Sequence, residues 1–197
     1  MAAIANTSPF TLKGPSMTNT DKKQFEKIPT SIDDVFILEK TKFEDHRGVF
    51  IKTFSEHAFR ELGLSTNFKE ATYSISKKGV IRGCHYQQHP YGHAKLVNVI
   101  EGEILDVIVG IGGKMNTRNR GKVLSTVLSK QNNRSLYIPD GYAHGFLCLS
   151  DYAIVSYQTT SIYNPKNDTG VHYNSFGFDW PIDNPILSEK DQNLKRF

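Results

Sequence analysis

A chain of 197 residues with 38% hydrophobic and 22% charged residues has room for one domain with a sizeable core and the balance of an ordinary globular protein. Its formal net charge of +4 comes from scattered lysines and arginines, so no basic block points to nucleic acid, and no apolar run approaches the roughly 18 residues of a membrane span. There is no signal-type apolar core with a cleavage site, and the 2 cysteines, Cys84 and Cys148, are too few for a disulfide framework and read as buried, reduced thiols of a cytoplasmic protein.

Residues 1–29 are rich in Thr, Ser, Asn and Lys without periodicity and are expected to form a disordered arm, with Met17 a candidate natural start after an appended leader. Residues 30–197 are expected to be the folded domain. VFILE (35–39) and VFIKTF (49–54) open a series of strand patterns rich in Val, Ile, Phe and Tyr and bounded by turn residues. SEHAFREL (55–62) predicts a helix, capped by Ser55, apolar along Ala58, Phe59 and Leu62, and ended by Gly63. VIRGCHYQQHP (80–90) reads as a strand running into a turn. Arg82 and His85 sit three apart and would face opposite ways in a regular strand. Gly83 between them is a candidate bulge that resets the phase and lets both line one cavity. The alternative is an edge strand with Arg82 in solvent and His85 packed.

Strands follow at 95–100, 103–111, 122–128, 134–139 and 153–163. Many short strands with turns between them argue for an antiparallel sandwich or barrel. The tail DWPIDNPILSEKDQNLKRF (179–197), with two prolines, is expected to wrap the surface as an extended segment.

Several polar residues interrupt these apolar patterns. Asp106 lies among aliphatic residues in ILDVIVGI, where a buried carboxylate needs a partner such as an arginine or histidine. IPDGYAHGFLCL (138–149) turns at Pro139-Asp140-Gly141 and enters a strand through His144, which has small neighbours on both sides. Tyr157, Thr159, Ser161 and Tyr163 share one face by alternation and make a row of hydroxyls. His85, His89 and His93 are spaced by four, but Pro90 and Gly92 break the helix that would stack them, so no metal site is expected. Phosphate loops and nucleophile elbows are absent.

Taken together, FEDHRGVF (43–50), RGCHYQ (82–87), AKLVNVIEGEILDVIVGI (94–111), LYIPDGYAHGFLCLSD (136–151), YQTTSIYNP (157–165) and LSEKD (187–191) resemble, in order and spacing, the dTDP-4-dehydrorhamnose 3,5-epimerase family of sugar-nucleotide epimerases. The resemblance implies an all-β, antiparallel, cupin-type β-jelly roll with one or two short helices, usually a homodimer. It also implies that the substrate is a nucleotide-diphosphate 4-keto sugar and that no cofactor is needed. It makes His85 the general base, Asp191 the carboxylate that orients it, Tyr157 the acid on the opposite sugar face and Lys95 the cation beside the enolate. Arg82 and His144 are then sugar contacts, Arg47 and Tyr163 lie near the diphosphate and Phe43 near the base. Lys190, Glu70 and Thr72 complete the substrate contacts.

The implied chemistry suits these residue types. Protons α to a ketone are acidified at C3 and C5, and a histidine with an ordinary pKa of about 6.5 can remove one near neutrality. An aspartate fixes its tautomer. A tyrosine with an ordinary pKa of about 10 keeps a proton to donate. A fixed ammonium opposes the enolate charge. The chain departs from the family pattern at the nucleotide end. Phe68-Lys-Glu-Ala-Thr72 stands where Phe-x-Gln-Asp-Asn is usual, and Lys52 where a glutamate is usual. Either Glu70 alters base preference, with a cytidine diphosphate sugar as the alternative to dTDP, or Glu70 pairs with Lys52 and dTDP still binds. A metal-dependent cupin oxygenase and a non-catalytic sugar-nucleotide binder are the competing functions.

Overall fold

The computed structural model describes residues 23–112 and 117–197. The chain runs through β1 (Phe25–Pro29), β2 (Phe36–Lys40), β3 (Lys42–Asp45), β4 (Gly48–Ile51), α1 (Glu56–Glu61), β5 (Glu70–Lys77), β6 (Ile81–Gln87), β7 (Lys95–Glu101) and β8 (Glu103–Gly110). It continues through a short 3-10 turn at Thr117–Asn119, β9 (Val123–Ser129), β10 (Arg134–Ile138), β11 (Tyr142–Cys148), β12 (Tyr152–Thr159), β13 (Asp168–Gly170) and α2 (Glu189–Gln192). One sheet has the order β1-β2-β10-β7-β12-β5 and a second the order β13-β6-β11-β8-β9, with every strand pair antiparallel. These two sheets form the jelly roll. Strands β3 and β4 make a separate hairpin.

Alternation builds the core. Val97, Val99, Leu136, Ile138 and Val155 from the first sheet meet Ile104, Ile108, Leu128, Tyr142 and Phe146 from the second, all buried. Each such side chain contributes about 1.5–3 kcal/mol of burial, which is what holds the sheets face to face. The outer face of the six-stranded sheet carries a second cluster, where Phe25, Leu38, Leu96 and Tyr137 pack against Phe59 and Leu64 around α1. That helix begins as its sequence predicts. The Ala58 N–H donates to the Ser55 hydroxyl at 3.5 Å, Glu56 sits in the first turn, and Gly63 ends it at φ +69°.

Several expectations are corrected. Phe25–Pro29 is strand β1, paired with β2, so the anticipated arm loses its last five residues to the sheet; Phe25 is the apolar anchor that pays no heed to its polar neighbours. Residues 1–22 of that arm, Met17 included, lie outside the described residues. The strand read at 49–54 stops at Ile51, because Phe54 turns inward to pack on Phe59 and Phe68. The strand read at 153–163 stops at Thr159, whose hydroxyl bonds the Ser161 carbonyl at 3.0 Å and turns the chain. The tail is partly extended, bridging Val80 through Ile186 and Val171 through Lys195, but it also forms α2. Strands β5 and β13 carry too many polar residues to stand out by hydrophobicity.

Candidate functional site

Both sheets line a cavity of about 440 Å3 whose wall includes Arg82, His85, Lys95, His144, Tyr157 and Asp191. Strand β6 supplies Arg82 and His85 from inside the five-stranded sheet, not from an edge. In its pairing with β11, His85 stands opposite His144 and Arg82 opposite Phe146, with a register shift between. Gly83 has φ +111°, and a Cβ there would lie 2.5 Å from the His144 carbonyl oxygen, so only glycine fits. This irregularity brings two side chains three residues apart into one cavity.

His85 Nε2 lies 2.5 Å from Asp191 Oδ1. An ionised carboxylate only accepts, so Nε2 carries the proton and Nδ1 is left as the basic nitrogen. Asp191 is 4% exposed and is placed by α2, where its N–H donates to the capping Ser188 hydroxyl at 3.1 Å; the Gly83 N–H donates to its Oδ2 at 3.3 Å. Burial pushes the Asp191 carboxyl up, but the bonds from His85, Gly83 and Ser188 outweigh it and hold the group below the usual carboxylate range.

Lys95 opens β7 and donates from Nζ to the His85 carbonyl at 2.9 Å, which fixes an ammonium beside the histidine. Burial lowers its pKa to about 8, against the opposing pull of Asp168 and Asp106. Tyr157 stands on β12, in the other sheet, and its hydroxyl is 3.1 Å from Ser74 Oγ. Burial pushes this phenol up, so it holds its proton. His144 Nε2 is 2.9 Å from Asp106 Oδ2, which supplies the partner that the buried Asp106 required. Arg82 donates to Ser76 Oγ at 2.9 Å and to the Ile75 carbonyl at 3.3 Å.

Glu70, Thr72, Tyr163 and Lys190 also line the cavity, and the Lys190 ammonium is paired with Asp168. The face of Tyr157, Thr159, Ser161 and Tyr163 does so throughout, although only its first half is strand. Arg47 and Phe43 do not line it. They lie on the β3–β4 hairpin, where Arg47 grips Asp45 with an Nη2–Oδ2 distance of 2.6 Å and holds that carboxyl down to about 2. The alternative pairing of Glu70 with Lys52 is not formed among the described residues, since Lys52 follows the hairpin while Glu70 starts β5 against Thr159. His85, His89 and His93 go to separate partners: Asp191, Asp140 at 3.3 Å, and the Gln87 amide at 3.2 Å. Cys84 and Cys148 are both free and buried.

Asp168, Gln87 and Ser74 line the cavity without having been singled out in the sequence, and His93, weighed there only as a metal ligand, lines it too. Thr72, Ser74 and Ser76 alternate along β5, but a polar face carries no hydrophobic signal to mark it. Asp168 sits in NPKNDTG (164–170), whose composition is that of a turn. Gln87 accepts from the Asn164 N–H at 2.6 Å and donates to the Ile162 carbonyl at 3.1 Å, pinning the segment that carries Tyr163, a long-range role with no local signal.

Comparison with known proteins identifies a family and its fold. The family model described as dTDP-4-dehydrorhamnose 3,5-epimerase matches residues 29–197. A dTDP-4-dehydrorhamnose 3,5-epimerase of Methanothermobacter thermautotrophicus is 43% identical over 178 residues, covering 87% of this chain and 94% of the relative. A dTDP-4-dehydrorhamnose 3-epimerase of Streptomyces niveus is 32% identical over 168 residues, covering 84% and 80%. Among solved structures, a 3,5-epimerase of Bacillus anthracis with TDP and PPi bound superposes with a TM-score of 0.84 at 34% identity, covering 88% of this chain and 99% of that one. One from Legionella pneumophila in complex with dTDP-4-keto-L-rhamnose gives 0.82 at 36% identity, covering 87% and 92%.

Proposed function

Since the chain belongs to the dTDP-4-dehydrorhamnose 3,5-epimerase family, we propose that it inverts C3 and C5 of a dTDP-linked 4-keto-6-deoxyhexose. The observation that carries this reading is the arrangement of the acid and base. The His85–Asp191 pair stands on the five-stranded wall of the cavity and Tyr157 on the six-stranded wall, so a sugar between them meets a base on one face and a proton donor on the other.

In the proposed reaction His85 Nδ1 takes the proton from the carbon α to the ketone. The C–H electron pair becomes the enolate π bond and the ketone oxygen gains the negative charge, which the Lys95 ammonium opposes. The Tyr157 O–H then donates to the same carbon from the far side, the enolate collapses to the ketone, and the centre is inverted. The imidazolium returns its proton to solvent and the phenolate regains one. Asp191 keeps the imidazole in the tautomer that leaves Nδ1 free. The ketone supplies the acidity, so no cofactor has a task here.

Arg82 and His144 are the proposed sugar contacts, with Tyr163 and Lys190 toward the diphosphate. Glu70 and Thr72 are proposed at the base end, with dTDP as the nucleotide. Arg47 and Phe43 on the hairpin do not line the cavity of their own chain, and the proposed assembly is a homodimer in which each hairpin reaches the partner's site. The hairpin's exposed Val49 and Phe50 and the outward Tyr73 and Ile75 of β5 are the apolar surface such an assembly would cover. Among the described residues no helix is long and apolar enough to cross a membrane, and the free thiols fit a cytoplasmic site of action.

The test is NMR of dTDP-4-keto-6-deoxyglucose incubated with the protein in deuterated water. Deuterium is expected at C3 and C5 with formation of the inverted sugar. His85→Asn is expected to slow exchange at both centres by ~10²–10⁴. Wild-type exchange in that variant would defeat the assignment of the base.

A further inference from the structure

We propose that Ser74 reloads Tyr157: once the phenol has given its proton to the first inverted carbon, the Ser74 hydroxyl passes it another from solvent while the sugar is still bound, so that the second centre can be inverted. The proposal rests on the reading of the site given above and adds to it the path of the returning proton. Ser74 lies in β5, an edge strand of the six-stranded sheet, opposite Val155 of β12, and Tyr157 stands opposite Thr72 in the same pairing. Ser74 and Tyr157 are thus diagonal neighbours on one sheet face, within reach of an aromatic side chain. Both line the cavity. Their hydroxyls are 3.1 Å apart, and either can donate. Among the described residues Ser74 is the only hydrogen-bond partner of the phenol.

Two inversions on one sugar make a demand that a single inversion does not. The first leaves Tyr157 as a phenolate and His85 as an imidazolium, and both must be reset before the second carbon reacts. His85 has a partly exposed side chain and can lose its proton to solvent. Tyr157 is flanked by β5 and β7, and the proposed sugar takes up its cavity side. Ser74 offers the way round. Along the inward face of β5, Thr72 is exposed, Ser74 half-buried and Ser76 only 1% exposed. Ser76 is engaged further in, accepting from Arg82 Nε at 2.9 Å. Ser74 is therefore the hydroxyl that stands where the wall passes from solvent to cavity, with the phenol on its inner side.

A serine hydroxyl has one proton to give and lone pairs to receive another, so it can relay without holding a charge. The Ser74 O–H proton passes to the phenolate oxygen while a water proton passes to Ser74 Oγ. The hydroxide left behind is neutralised by the proton that His85 releases. In sum, one proton leaves the sugar carbon and one reaches it. Burial pushes the phenol up, which makes its phenolate a strong proton acceptor and drives the transfer. Ser74 acts through Tyr157 and is a positioning residue, and the distinction to be drawn is between a hydroxyl that only orients the phenol and one that also reloads it.

The experiment is the partition of initial products in Ser74→Ala, with dTDP-4-keto-6-deoxyglucose in excess and the products trapped by borohydride reduction. The first inversion uses the proton already on Tyr157 and is expected to stay within a few-fold of wild type. The second is expected to slow by about tenfold or more, so the singly inverted sugar leaves the enzyme as the main early product. Ser74→Thr keeps the hydroxyl and is expected to restore the wild-type ratio of doubly to singly inverted sugar. An unchanged ratio in Ser74→Ala, whatever its overall rate, overturns the proposal, as does an alanine-like ratio in folded Ser74→Thr. Should Ser74→Ala fail to melt cooperatively, Ser74→Val, a stronger strand former without the hydroxyl, gives the same reading. A wild-type protein that inverts one centre or none overturns the functional reading itself, and this proposal with it, before any variant is made.

Discussion

His85 and Tyr157 serve opposite ends of one proton transfer, and their surroundings differ accordingly. His85 remains partly open to the cavity and has a carboxylate on Nε2, whereas Tyr157, half-buried with its hydroxyl against Ser74, holds its proton well above neutrality. Tyr157→Phe is therefore expected to separate two measurements. His85 can still remove a proton and return one on the same face, so solvent deuterium enters while the inverted sugar fails to accumulate. Equal loss of exchange and inversion would reduce Tyr157 to a wall of the pocket. At this scale the sequence was informative wherever a residue broke an apolar pattern. Asp106 among aliphatics announced a buried partner, and Gly83 between Arg82 and His85 announced the irregularity that unites them. Asp168 and Gln87 were silent because their partners, Lys190 and the Asn164 segment, are distant in sequence.

Strands with alternating Val, Ile and Phe were legible from period alone, since burial of one face is what makes the pattern. Strand β5 was not, because its inward face is Thr72, Ser74 and Ser76, polar where it lines the cavity. The end of β2 hides a different exception. Lys40 is buried on the outer face of the six-stranded sheet, donating to Asn98 Oδ1 at 3.2 Å and Ser135 Oγ at 2.6 Å. Burial, with some repulsion from Lys42, lowers its pKa to about 8. The unfolded chain binds that proton up to about 10.4, so between these values the unfolded state holds more protons and stability rises with pH. The penalty is fully present below pH 8. Lys40→Met removes it and leaves Ser135 donating to Asn98. Denaturant unfolding is expected to show a gain of about 1 kcal/mol or more at pH 7, shrinking toward pH 10. A loss at pH 7 would mean that the lysine's bonds outweigh its buried charge.

The whole molecule is a sandwich with one element left over, the β3–β4 hairpin, which carries Arg47 and Phe43 away from the cavity of its own chain. If the hairpin completes a partner's site, two disabled variants should repair each other. Arg47→Ala and His85→Asn, each weakly active alone, are expected on mixing and subunit exchange to recover roughly a quarter of wild-type activity, because half the dimers then hold one intact site of two. No recovery in demonstrated mixed dimers would place Arg47 in service of its own chain. The hairpin's detachment from both sheets was not legible in FEDHRGVF, because a strand pattern carries no record of which sheet it joins.

The division of the cavity between two sheets also bears on how such a scaffold can diversify. The residue proposed to break the carbon–hydrogen bond and the residue proposed to remake it belong to separate walls, joined by no direct hydrogen bond. Substitutions around Tyr157 can redirect where a proton is delivered while the machinery that removes it is inherited intact. A lineage can thus edit stereochemical outcome at one wall without first losing reactivity at the other, and a 3-epimerase and several 3,5-epimerases among the relatives are the kind of divergence this separation permits.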